Sequence, residues 1–180
     1  MKKSSVTTLA AALLCATALR CPLEAQTNPI STNLKSDYTT VKDYFIRSAE
    51  KMPDTAYVFK PSPDVRTFAQ LVAHVADDQY NLCAAAKGEI RQAAYSEIEH
   101  TLTTKADLLP ALKKAFAYCD AAYDSLTDSS ATETAKFFKS DKTRFEMLNW
   151  NLWHTWEHYG NAVTYLRMNG IVPPSSEKKP

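Results

Sequence analysis

The sequence predicts an all-α fold: a four-helix bundle with long crossover loops, preceded by a signal peptide. Three observations carry this. Four stretches repeat apolar residues at three- and four-residue steps, the spacing of one helix face. Two of those stretches open on a capping box. Only three glycines occur in 180 residues, few for the turns of a β-rich or Rossmann chain. The length suits one domain, divided as residues 1–25 for the signal peptide, 26–174 for the bundle and 175–180 for a flexible tail.

At the N-terminus, Lys2 and Lys3 form a basic region and Val6 to Leu19 an apolar stretch, too short to span a bilayer comfortably. Leu23-Glu24-Ala25 reads as the end of a cleavage site. Leu23 is larger than the usual residue at its position and Arg20 stands close by, so an uncleaved amphipathic N-terminus is the alternative. Cys15 and Cys21 follow Leu14 and Arg20, not the small residue a lipoprotein signal requires. The expectation is export to the periplasm or exterior, with no stable membrane insertion after cleavage. Cleavage leaves Cys83 and Cys119, which an oxidising compartment could pair. Their spacing does not establish that, and they are read as two small helix residues rather than as a disulfide.

In the first helix Leu34, Tyr38, Val41, Phe45, Ala49 and Met52 form the stripe, and Pro53 ends it. Pro53, Pro61 and Pro63 mark residues 53–66 as an ordered loop across one end of the bundle. The second helix opens with Thr67 as N-cap and Gln70 three residues on, and runs to Gly88. The third carries Leu109, Leu112, Phe116, Cys119, Tyr123 and Leu126; Pro110 favours a start near Asp107. Residues 127–142 are polar and rich in Ser, Thr and Asp, and read as a long crossover loop. Thr143 and Glu146 form the second capping box. The fourth helix continues to Met168, where Asn169-Gly170 supply the stop. The residues after Gly170 are placed outside the bundle.

The candidate chemistry lies on two of these helices. His154 and His158, four residues apart, share one helix face, so both rings can bind one ion. At about 100° per residue, Met147, Asn151, His154, His158, Asn161 and Tyr165 fall near one line. The second helix groups Thr67, Leu71, His74, Asp78 and Asn81 in the same way. Polar groups on a core-facing stripe need partners, and one metal would satisfy three imidazoles at once. A lone core histidine bonded to a carbonyl is the plainer reading of His74 by itself, and His-x3-His pairs also arise by chance. His100 lies in a polar segment and reads as solvated.

Beyond these residues the chain resembles the DinB-like family. Thr67-Phe68-Ala69-Gln70-Leu71-Val72-Ala73-His74-Val75 resembles that family's second helix. The run from His154 through Trp156, Glu157, His158, Asn161 and Tyr165 to Arg167 resembles its last helix, and Gly170-Ile171-Val172-Pro173-Pro174 its ending. The likeness spans about residues 30 to 174. It implies a four-helix bundle with a mononuclear site on His74, His154 and His158. It also implies kinship with thiol-dependent transferases and isomerases that use low-molecular-weight thiols.

Three imidazoles leave a coordination position open, which favours catalysis or ligand binding over a purely structural ion. Zinc is the first expectation for the one divalent metal ion and nickel the second, since imidazole suits both. Asp78 and Asn151 are candidates to orient the rings; Asn161 and Tyr165 are candidates to line a pocket. Binding is expected to weaken below about pH 6, near the free imidazole pKa. The leading functional expectation is a metal-dependent enzyme acting on a small molecule, of thiol transferase or hydrolase type. The alternative is a non-catalytic metal-binding or stress-related protein, with the ion sealed by Trp150, Trp153 or Trp156. With 21 basic against 20 acidic residues, no basic surplus exists to attract nucleic acid. A homodimer through an exposed helix face is an arrangement such bundles adopt.

Overall fold

A computed structural model describes residues 27–90 and 96–178. The expected signal peptide lies outside the described residues. Helix α1 (Pro29–Lys51) is followed by a 3-10 turn at Asp54–Ala56, α2 (Phe68–Lys87), a short α3 (Glu97–Thr101) and α4 (Lys105–Asp124). A hairpin of β1 (Thr134–Phe137) and β2 (Ser140–Thr143) then leads into α5 (Arg144–Met168). No helix among the described residues is long and apolar enough to cross a membrane.

The four long helices close a bundle in which α1 and α2 each pack on both α4 and α5. The diagonal pairs are therefore α1 with α2 and α4 with α5. End-to-end contacts give the directions. Lys105, at the start of α4, reaches the carbonyls of Glu50 and Met52 at the end of α1, so α1 and α4 are antiparallel. Arg144, opening α5, donates to the carbonyl of Ala86 near the end of α2, so α2 and α5 are antiparallel as well. Arg144 also reaches Ser125 at the end of α4, so α2 and α4 end together and run the same way, and α4 starts at the far end of the bundle from where α2 stops.

Both capping boxes form. Thr67 accepts from the Gln70 N–H and Thr143 from the Glu146 N–H, and each partner side chain bonds back to the cap. Gly88 and Gly170 take φ of 71° and 73°, left-handed values that glycine adopts without a Cβ penalty. At the end of α5 the Ile171 N–H reaches Leu166 O and the Gly170 N–H reaches Arg167 O, the paired bonds of a Schellman motif. Residues 53–66 are ordered as expected: Tyr57 is buried, and the carbonyls of Tyr57 and Phe59 accept the first N–H groups of α2.

Four expectations are corrected. α4 starts at Lys105, capped by Thr104, so Pro110 lies inside the helix and the carbonyl of Ala106 loses its ladder donor. Residues 127–142 are not a featureless loop: β1 and β2 pair from Thr134↔Thr143 to Phe137↔Ser140, with Phe137 buried against Trp150 at 5.3 Å between ring centroids. Ala131 is buried as well and Ala135 packs against the core, so this polar stretch is a packed hairpin. The chain after Gly170 packs back on the bundle rather than lying free: the Ser175 N–H donates to Tyr159 Oη, and Glu177 pairs with Arg47 and Lys51 of α1. Finally, Cys83 and Cys119 form a disulfide between α2 and α4, with Cα atoms 5.2 Å apart.

α2 is buried nearly all round, from Phe68 to Ala86, because α3 and β1 cover the face that α4 and α5 leave open. A helix enclosed on every side must satisfy its polar groups internally. Asp77, Asp78 and Gln79 are each no more than 2% exposed, and all three find their partners on neighbouring elements around the histidine-bearing end of the bundle.

Candidate metal centre

His74 enters from the first half of α2, and His154 and His158 from the middle of α5. One ring nitrogen of each lies within 4.8 Å of the others. The two α5 rings face each other through Nε2, 3.0 Å apart. Two imidazole lone pairs at that distance repel unless a proton or a cation lies between them. Nitrogens sharing a tetrahedral zinc at ~2.0–2.1 Å stand roughly 3.3 Å apart, so this pair is already near the spacing a metal needs.

Two of the rings have a carboxylate oxygen at Nδ1: His154 Nδ1 lies 3.4 Å from Asp78 Oδ2 and His74 Nδ1 lies 3.4 Å from Glu99 Oε2. A carboxylate there holds ring orientation and leaves Nε2 to bind the ion. His158 Nδ1 lies 3.5 Å from Asn161 Nδ2, a donor nitrogen. Asp78 Oδ2 also lies 3.1 Å from His74 Nε2. Its second oxygen, Oδ1, is buried and has no hydrogen-bond partner. An orphaned carboxylate oxygen beside three imidazoles is a poor arrangement without positive charge. A divalent cation supplies that charge, and the donor set fits one.

Burial is the main influence on two of the rings. It holds the His154 pKa below its ordinary value, against the pull of Asp78. It lowers His158 to about 3, with His154 and His74 adding to the shift. Burial therefore opposes protonation of both rings, most strongly at His158. Metal loss is expected below about pH 6, as a metal-release titration would measure; loss already complete above about pH 6 would count against these rings as donors. The metal-free protein responds too. As pH falls, the unfolded chain protonates at its normal imidazole pKa of about 6.5 while folded His158 stays neutral. Stability is therefore lost between about pH 6.5 and 3, by on the order of a few kcal/mol, measurable as a falling urea midpoint.

A cleft of about 410 Å³ opens beside His158. Its walls include Arg66, Leu71, Asn161, Thr164 and Tyr165. The volume suits a small molecule. Tyr165 fixes one wall by donating its hydroxyl to the Arg66 carbonyl. Trp153 and Trp156 are 49% and 36% exposed; neither lines this cleft, and the cleft leaves His158 open on that side.

The structure brings His74, His154, His158, Asp78, Asn161 and Tyr165 to one region. Asn151 does not touch the rings. It is fully buried, bonded to Gln79 at 3.0 Å and to Tyr123 at 2.9 Å, and Gln79 continues to Thr155. Asn151 thus belongs to a polar belt joining α2, α4 and α5. His100 is exposed on α3, its Nδ1 2.6 Å from Ser96 O. Sequence reasoning missed Arg66 and Glu99, which lie outside the two histidine-bearing helices and carry no spacing signal.

Residues 37–162 match the sequence model of the DinB superfamily. Among solved structures, the chain resembles a DinB-like protein from Bacillus cereus at 14% identity and a TM-score of 0.68, covering 79% of this chain and 95% of that one. YfiT from Bacillus subtilis, described as a probable metal-dependent hydrolase with an unusual four-helix bundle topology, matches at 18% identity and 0.61, covering 83% and 93%. The mycothiol-dependent maleylpyruvate isomerase matches at 16% and 0.61, covering 73% of this chain and 60% of that one. A search of curated proteins finds no match.

Proposed function

This chain belongs to the DinB superfamily, and on that premise we propose that it is a metal-dependent enzyme of hydrolytic type acting on a small molecule outside the cytoplasm. The observation that carries the reading is the cleft opening on His158, one of three converging histidines. His74, His154 and His158 would hold the ion, zinc first and nickel second. When bound, a divalent ion there supplies Lewis acidity and makes a nucleophile available near neutral pH.

The chain's own residues supply the rest. Asp78 and Glu99 stand against the rings of His154 and His74 from outside. Arg66 offers a cationic planar donor at the cleft wall, suited to a carbonyl or an anionic oxygen of the substrate. The Asn161 amide and Thr164 hydroxyl add neutral polar groups to the same wall. Leu71 gives the cleft an apolar side that excludes water from part of it.

Hydrolysis is preferred to thiol transfer for a physical reason. The Cys83–Cys119 disulfide and the N-terminal basic, apolar and small-residue order both suit an oxidising compartment. Low-molecular-weight thiols are scarce there. The test is a panel of esters, lactones and amides with zinc- or nickel-loaded protein, with and without added thiol. Turnover without thiol that disappears in His158→Ala is expected. Turnover only with thiol would replace hydrolysis by transfer. A loaded protein inert on every substrate in both conditions would favour a non-catalytic metal-binding role.

A further inference from the structure

α3 is not part of the bundle, yet the residues around it are built as a support. Its N-cap, Ser96, makes no side-chain capping bond. The buried carboxylate of Asp77, from α2, takes that place: Oδ1 accepts from the Ile98 N–H at 3.2 Å and Oδ2 from the Glu99 N–H at 2.9 Å. A carboxylate only 1% exposed is costly to bury unless its bonds are made. Asp77 adjoins Asp78, so the anchor for α3 sits one residue from the carboxylate that contacts His74 and His154.

The anchor determines where Glu99 lies. Its side chain is divided between two partners: Oε1 accepts from Arg66 Nε at 2.8 Å and Oε2 faces His74 Nδ1 at 3.4 Å. Arg66 Nη2 is itself 3.4 Å from the same ring nitrogen. Glu99 is therefore held on one side by the residue that lines the cleft and on the other touches a ligand ring.

We propose that Glu99 is a positioning residue of the metal centre, which fixes His74 as an Nε2 donor and makes the crossover helix a working part of the site. This rests on the reading of the three histidines as metal ligands. The proposed role is electrostatic as well as geometric: a carboxylate at Nδ1 raises the basicity of the ring at its other nitrogen, and outer partners of this kind are typically worth 10–100-fold in affinity.

The test is cobalt(II) titrated into the full chain, its parent form compared with Glu99→Gln, Glu99→Ala, Asp77→Asn and His100→Ala. Glu99→Gln keeps size and hydrogen bonding but removes the charge. Its Kd for cobalt is expected to rise about tenfold, with a changed visible cobalt spectrum and an unchanged thermal midpoint of the metal-free protein. Glu99→Ala and Asp77→Asn are expected to weaken binding as well, the second by loosening α3, and His100→Ala to leave it unaltered. Parental affinity and spectrum in both Glu99 variants would overturn the proposal while leaving the three-histidine site intact. A parent protein that takes up no cobalt would overturn the metal reading itself, and this proposal with it.

Discussion

The double substitution His154→Ala, His158→Ala reduces bound metal from about one ion per chain to almost none, because two of three donors are removed and one imidazole cannot retain a divalent ion against water. This is the largest effect the structure predicts. The measurement is elemental analysis of protein purified without a histidine tag, after incubation with zinc or nickel. The substituted protein should still fold. His154 is only half-buried, and the belt of Gln79, Asn151 and Thr155 that joins α2 to α5 is untouched. Removal of the two imidazoles also leaves Asp78 with even fewer partners. The metal-free double variant is therefore expected to be less stable than the metal-free parent at neutral pH, and the gap should narrow if Asp78 is changed to asparagine. Equal metal content in parent and variant would mean that the ion sits elsewhere. No metal in either would reduce the three histidines to packing residues and remove the main support for an enzyme.

How much of this was legible in the sequence depends on the range over which each signal acts. Thr67–Gln70 and Thr143–Glu146 are contacts between residues three apart, so the chain declares them before it folds. Gly88 and Gly170 mark helix ends for the same reason. The histidine pair of α5 is also local. The stripe of α2 offered His74 as a third donor and the resemblance strengthened it, since a helical wheel reports a face and not the distance to another helix. The same limit explains Asn151. Its place on the histidine line was read correctly, but one turn along α5 puts it in the belt with Tyr123 rather than beside the rings. Glu99 and Arg66 were invisible because their position follows from the crossover and its Asp77 anchor. The hairpin at residues 134–143 escapes the sequence because its strands are polar and their packing, Phe137 against Trp150 of α5 and β1 against α2, is with helices distant in sequence.

Removing the disulfide with Cys83→Ala, Cys119→Ala is expected to cost about 4 kcal/mol, from the loop-closure entropy of a bridge spanning 36 residues. For a chain of this size that corresponds to a fall in Tm of roughly 10 °C. Both cysteines are fully buried, so the small voids left by alanine add to the loss rather than offset it. Urea and thermal unfolding measure the effect, and thiol titration of the denatured parent without reductant checks its premise: Cys83 and Cys119 should contribute no reactive thiol. Two reactive thiols there would return the pair to the role of small helix residues and weaken the case for export. The bridge ties α2 to α4, whereas the histidines join α2 to α5. Metal content at saturating ion should therefore be the same in the double-alanine protein and its parent at temperatures where both are folded. Loss of stability with retention of metal would separate the clamp that holds the bundle from the site built within it. Loss of both together would mean instead that the register of α2 against α5 depends on its attachment to α4.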